Sequence, residues 1–457
     1  MGEKIIVPIV QNRLNHLFTN RLPFAPHRRP RPNQMKVKPV SNGNGWSPTT
    51  ALVPKPRNVF FYPPDITNDL STVTDLSPSI KAEIFACAWE YTRCAIPQYT
   101  NWKRYVAFMR VVIICAIAEF RGEMFDMESN GDDMFGYNLQ QVLDDLFEGT
   151  PGHECMSREL RAFLLLTADK SSTRRDEELF RRYVNSLAQS PRQWFRMRDA
   201  DGLVRFVLAS ALACCDLDDV WFTEDEFEIL AEMGVTLYDA VAFYKHRAEG
   251  ETHSTFAYMP VELRVKSFHL VREVLWALDA AWAQTERPYH QAVINFTRFF
   301  GGPIHMLMSR YRFVEDALTI GKPEDEHVVD QTRQNYKLWH RNDAKDEVKS
   351  EDRKGYRRYK YLVMERPELM YPELPEFLET GGDGSCSKCV YRDGYGARSV
   401  HAFGGVQLCD ECRAKWGDYL NSFHTRAAKV PGYAEKGAGT DAELRTPGYD
   451  KYGSVLN

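Results

Sequence analysis

The chain has 457 residues, 44% of them hydrophobic and 26% charged, the balance of an ordinary globular protein and not of a fibrous or disordered one. A formal net charge of −5 argues against a polyanion-binding protein, so no nucleic-acid partner is expected. The length suits one large domain with an appendage.

The charge is uneven. Residues 1–60 hold ten Lys and Arg with Glu3 as the one acid, which leaves 48 bases against 62 acids in the remainder. The first segment (RLPFAPHRRPRPNQMKVKP) has no sustained periodicity and reads as a disordered basic, Pro-rich extension. A basic, nearly acid-free segment also fits an organelle-targeting peptide. The most apolar run, Tyr105 to Phe120, is interrupted by Arg110 and is too short to span a bilayer. It reads as a buried helix, and no stable membrane insertion is expected. With no apolar signal-peptide core, a cytoplasmic protein is expected, whose scattered cysteines (Cys87, Cys94, Cys115, Cys155, Cys214, Cys215) are reduced, buried residues.

Apolar residues recur at three- and four-residue spacing over 80–94, 102–120, 137–147, 157–168, 176–189, 203–214, 225–247, 261–283, 288–300 and 303–320, and each stretch predicts a helix. Gly and Pro punctuate them, Pro191 among others. No strand–helix alternation is evident. The fold class expected is all-α: a single large helical domain over 61–375, a small four-cysteine zinc-binding module over 376–430 and a flexible tail over 431–457. The charge run 340–360 reads as a solvated connector or helix face.

The chemistry concentrates in four places. In AEFRGEMFD, Glu119, Glu123 and Asp126 would share one face if the helix ran on. Oxygen ligands at that spacing suit Mg²⁺; the plainer reading is an exposed acidic helix end with Arg121 as partner. Gly122 would let another backbone or a ligand come close. The densest stretch, Asp216 to Pro260, opens with Asp216, Asp218 and Asp219, and continues into a helix carrying Tyr238, Asp239, Tyr244, Lys245, His246 and Arg247. Carboxylates beside cations suit a metal-bound phosphate group, although Thr223 and Glu226 also fit a capping box. Further on, Arg298, Arg310 and Tyr311 flank a Gly-Gly-Pro break; guanidinium matches diphosphate oxygens, and a surface Arg cluster is the alternative. Last, Cys386, Cys389, Cys409 and Cys412 form a C-x₂-C pair of pairs nineteen residues apart, the spacing of a closed structural Zn²⁺ site.

The order of these pieces resembles class I terpene synthases: an early acidic motif, a second metal motif and a late Arg-Tyr pair. The likeness is imperfect. Asp239 and Lys245 match the second motif, while its usual ligand positions hold Tyr238, Ala242 and His246. A closer resemblance, carried by IFACAWEYTRC, TNWKRYVAFMR, FEGTPGH, LDDVWFTEDEFEIL, LYDAVAFYKHRAEGE, STFAYMP, RFFGGPIHM and the Cys pairs, is to the alpha-ionylideneethane synthases of fungal abscisic acid biosynthesis. These are atypical sesquiterpene synthases that lack the standard metal motifs. The resemblance spans about Tyr62 to Val430. It implies farnesyl diphosphate as substrate, loss of diphosphate to an acyclic polyene, then isomerisation and protonation-driven cyclisation. From residue type and position and the class I pattern, Mg²⁺ is expected at Glu119, Glu123 and Asp239, the diphosphate at Lys245, Arg298, Arg310 and Tyr311, and general-acid work at His246, Tyr238 or Tyr244, with Asp239 beside them. The alternatives are a synthase or prenyltransferase with another product, and a non-catalytic helical scaffold with a partner-binding zinc module.

Overall fold

Local sequence sets where the helices begin. The Ser77 and Ser190 hydroxyls accept from the amides of Ile80 and Gln193, each with a proline in the first turn. Asn101 and Asn138 cap in the same way. The capping box forms as expected: the Thr223 amide donates to the Glu226 carboxylate at 2.6 Å, and the Glu226 amide returns to the Thr223 hydroxyl. The computed structural model describes residues 60–129, 131–187, 189–248, 254–302, 350–383, 386–392 and 405–433, with Ile304 and the strand residues 313–315 and 318–319.

The described elements run α1 (Pro78–Ala95), α2 (Trp102–Phe120), a ribbon of β1 (Asp133–Met134) and β2 (Tyr137–Asn138), α3 (Leu139–Phe147), α4 (His153–Lys170), α5 (Glu178–Ser186), α6 (Pro191–Gly202), α7 (Val204–Cys214), α8 (Glu224–Ala248), a single turn α9 (Thr255–Tyr258), α10 (Val261–Gln284) and α11 (His290–Phe300). There follow β3 (Phe313–Glu315), β4 (Leu318–Thr319), α12 (Tyr356–Glu365), α13 (Leu374–Thr380), β5 (Val390–Arg392), β6 (Gly405–Gln407), α14 (Asp410–Asn421) and α15 (Phe423–Ala427). The protein is mostly helical, as its periodicity predicts, and among the described residues the strands pair as three short antiparallel ribbons.

Two expectations change. The helix predicted over 303–320 does not hold to its end, because Phe313–Glu315 pairs with Leu318–Thr319; aromatic and β-branched residues such as Phe313 and Val314 favour extended backbone. The charge run ends in α12, where Arg358 is not a solvated side chain. It binds both Asp169 oxygens, at 2.7 and 3.1 Å, and reaches Glu128. All ten cysteines are free, and Cys214 and Cys389 are the buried ones. Among the described residues, no helix is long and apolar enough to cross a membrane.

α8, within the stretch from Asp216, packs against α6, α7, α9, α10, α11 and α15. α6 is buried on every side, between α4, α7, α8, α9 and α14. Trp194 and Met197 lie in the core, yet the same helix also buries Arg196, Arg198 and Asp199. Residues two apart on a helix point about 200° apart. The run Arg196-Met-Arg198-Asp199-Ala-Asp201 therefore throws ion pairs onto opposite faces. On one, Arg196 binds Glu159 of α4, while Asp199 takes the Arg205 amide at 3.0 Å and its guanidinium. On the other, Arg198 binds Asp201 and Asp239. Buried charges persist only when paired in this way.

The acids at 216–219 fasten α7 to α2. Asp216 has φ of +54° and accepts from the Thr100 hydroxyl at 2.6 Å and the Asn101 amide at 2.9 Å. Arg104 grips Asp218 through two nitrogens, and Asp219 is exposed. The Thr100 and Asn101 donors, with Arg104 behind them, hold the Asp216 carboxyl below its ordinary value. A depressed carboxylate adds stability above its unfolded pKa, and that stability is lost as pH falls through the folded one. Asp216→Asn keeps the left-handed preference and removes only the charge. We expect it to melt below the parent at neutral pH, with the gap closing as pH falls below 3.8, read by thermal unfolding across that range.

Candidate functional site

Helices α2, α4, α6, α8, α9 and α11 bring charged and aromatic side chains together at one end of the bundle. α2 ends at Phe120, because the chain leaves helical backbone at Arg121 (φ −141°, ψ 48°) and makes a short turn through Gly122–Met124. The cause is close packing: the Ser171 hydroxyl donates to the Ala118 carbonyl at 2.6 Å, and a Cβ on Gly122 would collide with Ser171 and with the Ala168 carbonyl. Gly122 thus admits a neighbouring backbone, one of the two uses its position suggests. Glu119, Glu123 and Asp126 accordingly do not share a continuous helical face. Glu119 sits in the last turn of α2. Glu123 is largely exposed and lies 3.9 Å from Arg121. Asp126 accepts from the amides of Glu128 and Ser129.

The end of α4 meets that of α2 and delivers Lys170, which is buried and lies 2.9 Å from Asp201. Asp201 also holds Arg198. Arg198 donates through Nη2 to Asp239 Oδ1 at 2.7 Å and through Nε to Oδ2 at 3.2 Å. The Thr255 amide and hydroxyl both donate to Asp239 Oδ2, at 2.7 and 2.6 Å. Lys170, Asp201, Arg198 and Asp239 thus form a buried chain of alternating charge from α4 to α8, which Thr255 of α9 joins. Burial would lower the Arg198 pKa, but Asp239 and Asp201 raise it far above the ordinary value, so it stays charged. Burial pushes the nearby Tyr183 hydroxyl well up, and the charge of Asp201 adds to the rise.

An aromatic wall adjoins the ions. Tyr238, the residue before Asp239, stacks on Phe300 with centroids 4.5 Å apart, and Phe296 stacks on Phe300 in turn. The Arg198 guanidinium lies 5.8 Å from the Tyr238 ring centre. Phe299 meets Tyr91 edge-on at 6.0 Å, and Tyr91 meets Phe108. Gly301 lets α11 close on Leu237.

Of the residues singled out from sequence, Glu119, Tyr238 and Asp239 belong to elements that converge on this end. Arg298 is not brought to them: it faces α10, where it shares Asp279 with His290. Helix α8 includes positions 244–246, but the side chains of Tyr244, Lys245 and His246 lie outside the described residues, as do Arg310 and Tyr311. Among the described residues, no three carboxylates gather to hold one ion; the only such group of His, Cys, Asp or Glu side chains is the cysteine set. Glu119, Glu123 and Asp239 therefore do not form a ready-made Mg²⁺ triad. Sequence reading missed Lys170, Arg198, Asp201 and Thr255. Four charges in six residues beside Trp194 and Phe195 were the available signal for α6.

The second site is the cysteine module. The sulfurs of Cys386, Cys389, Cys409 and Cys412 all lie within 4.8 Å of one another, with Cys386 and Cys409 at 3.9 Å. Four thiolates about 2.3 Å from one tetrahedral ion fit that spacing, so this group can hold a metal ion. The β5–β6 ribbon presents the first pair. Cys409 caps α14, and its amide donates to Cys389 Sγ at 3.3 Å. Backbone amides, that of Lys388 first, lower the Cys386 thiol to about 7 and so favour the thiolate.

A family model described as "Alpha-ionylideneethane synthase aba3" matches residues 58–432. The chain belongs to the alpha-ionylideneethane synthase family. A relative of that name from Botryotinia fuckeliana (strain B05.10) is 62% identical over 392 residues, covering 86% of this chain and 87% of the relative. Alpha-ionylideneethane synthase abl3 of Leptosphaeria maculans is 61% identical over 375 residues, 82% and 86% of the two chains. One from Pyricularia oryzae (strain Y34), also named alpha-ionylideneethane synthase abl3, is 49% identical over 435 residues, 83% and 84%. The match to the alpha-ionylideneethane synthase family spans both the ionic end of the bundle and the four cysteines.

Proposed function

We propose that the chain is a sesquiterpene synthase that converts farnesyl diphosphate to alpha-ionylideneethane in abscisic acid biosynthesis, a lyase acting on a carbon–oxygen bond to phosphate. The observation that carries this reading is the 62% identity over 392 residues to a relative of that activity by name. The site suits the chemistry. Ionisation breaks the allylic C–O bond, and the diphosphate leaves with the electron pair. Lys170 and Arg198 are the cations proposed to meet the leaving diphosphate, which would have to draw them from Asp201 and Asp239. The aromatic cluster of Tyr238, Phe299 and Phe300 is proposed to line the farnesyl chain. Loss of a proton gives the acyclic polyene; a proton delivered to that polyene starts ring closure, and loss of another ends it. Tyr238, Tyr244 and His246 are the proposed acids.

Mg²⁺ is proposed as the ion that accompanies the diphosphate; no step is assigned to it, given the dispersed carboxylates. Zn²⁺ is the proposed occupant of the four thiolates, where no ligand position stays open, so its role there is structural. The proposed location is cytoplasmic.

The test is purified protein with farnesyl diphosphate, with and without Mg²⁺, followed by gas chromatography–mass spectrometry. A fifteen-carbon cyclic triene that requires Mg²⁺ is the expected result, with acyclic polyene alongside it. No diphosphate release from any prenyl diphosphate would overturn the reading and favour a non-catalytic scaffold.

A further inference from the structure

The cysteine module is wired to the ionic end of the bundle. Cys412 lies in the first turn of α14, and one turn on, Trp416 is 2% exposed, set between Trp194 at 6.5 Å and Phe195 at 6.0 Å of α6. Trp194 Nε1 donates to the Thr255 hydroxyl at 3.2 Å, and that hydroxyl and its own amide donate to Asp239. A second route runs through the ribbon, since β6 packs against α9. The C-terminal helices also dock further along the same face of α8. Glu232 is two turns from Asp239 on the same face. It accepts from Arg426 at 2.6 and 2.9 Å and from the Tyr419 hydroxyl at 3.0 Å. One buried stripe of α8 therefore holds the C-terminal helices with one carboxylate, and Arg198 and Thr255 with the other.

We propose that the four-cysteine metal centre is a positioning element for the catalytic end of the bundle, acting through Trp416 and Trp194 on the Thr255–Asp239 contact. This rests on the synthase reading for its kinetic consequence but not for its structural one. A bound ion fixes the start of α14, and with it the depth at which Trp416 meets Trp194. That sets where the Thr255 hydroxyl sits on Asp239, and so how Arg198 is shared between Asp239 and Asp201. From Trp416 through Trp194 and Thr255 to Asp239 every group is buried, so displacement at the Trp416 end has little slack in which to dissipate.

The test compares zinc-loaded protein with protein stripped by 1,10-phenanthroline, which leaves Mg²⁺ in place, and with stripped protein given Cd²⁺, which thiolates also bind tetrahedrally. Three readouts are taken on each: far-ultraviolet circular dichroism, hydrogen exchange at residues 254–259, and turnover with product ratio. With the helical signal kept, stripping is expected to speed exchange at 254–259 by about tenfold or more. It should lower kcat by about 10- to 100-fold, and raise the share of acyclic polyene, with Cd²⁺ restoring all three. Stripped protein that keeps its helical signal, parent exchange at 254–259 and parent turnover would overturn the proposal. If stripping melts the helices, zinc-loaded Trp416→Leu gives the same comparison: fast exchange at 254–259 supports the relay, and parent exchange there overturns it. If the loaded parent releases no diphosphate, the synthase reading fails, and the exchange data still decide whether the module positions Thr255.

Discussion

Arg198→Met is expected to destabilise the protein by about 3–5 kcal/mol, the cost of breaking a buried ion pair from one side, and to abolish turnover. Arg198 is 4% exposed and donates to both oxygens of Asp239 while it also binds Asp201. The methionine fills similar volume, so the loss reports charge and not a cavity. Adding Asp239→Leu should recover part of the stability, because Asp201 keeps Lys170 and the second carboxylate is gone. It should not recover turnover, since the latch for Thr255 goes with it. Urea unfolding at constant m-value gives the first comparison, and diphosphate release gives the second. A double variant no more stable than Arg198→Met would show that Asp239 is held chiefly by Thr255.

The opposite face of α6 supplies the control. Arg196→Met removes the cation on Glu159, a carboxylate 3% exposed, and should again cost about 3–5 kcal/mol. Burial pushes the Glu159 pKa up, and Arg196 and then Arg205 oppose that rise, so taking away Arg196 raises it further. Arg196 also lies over the Tyr371 ring at 3.8 Å, on the side away from Asp239. The double variant Arg196→Met, Glu159→Met should regain most of the stability and keep parental turnover per folded molecule. Equal losses of turnover from the Arg196 and Arg198 pairs would mean that α6 matters only as a strut.

How far the sequence could be read follows from what each signal depends on. The helices were legible because their apolar periodicity and their Ser, Asn and Thr caps are local. The cysteine module was legible because ligand spacing is close to a complete description of such a site. α6 was not, because its charges pair with α4, α7 and α8, and periodicity does not report partners dozens of residues away; Pro191, read as marking a turn between helices, is instead its first residue. Asp239 stood out as an acid among apolar neighbours, but its use by Arg198 and Thr255 depends on how α6 and α9 pack. The acidic face from Glu119 to Asp126 failed for a packing reason, the approach of Ser171 and Ala168 to Gly122, which cannot be seen from helical spacing.

The most direct measurement is a crystal structure with farnesyl thiodiphosphate, an analogue that resists ionisation. The farnesyl chain is expected against Tyr238, Phe299 and Phe300, with the diphosphate at the converging ends of α2 and α4 near Lys170 and Arg198. A diphosphate bound instead at Arg298 and Asp279, with Arg198 and Asp239 undisturbed and remote from it, would move the active site away from α6.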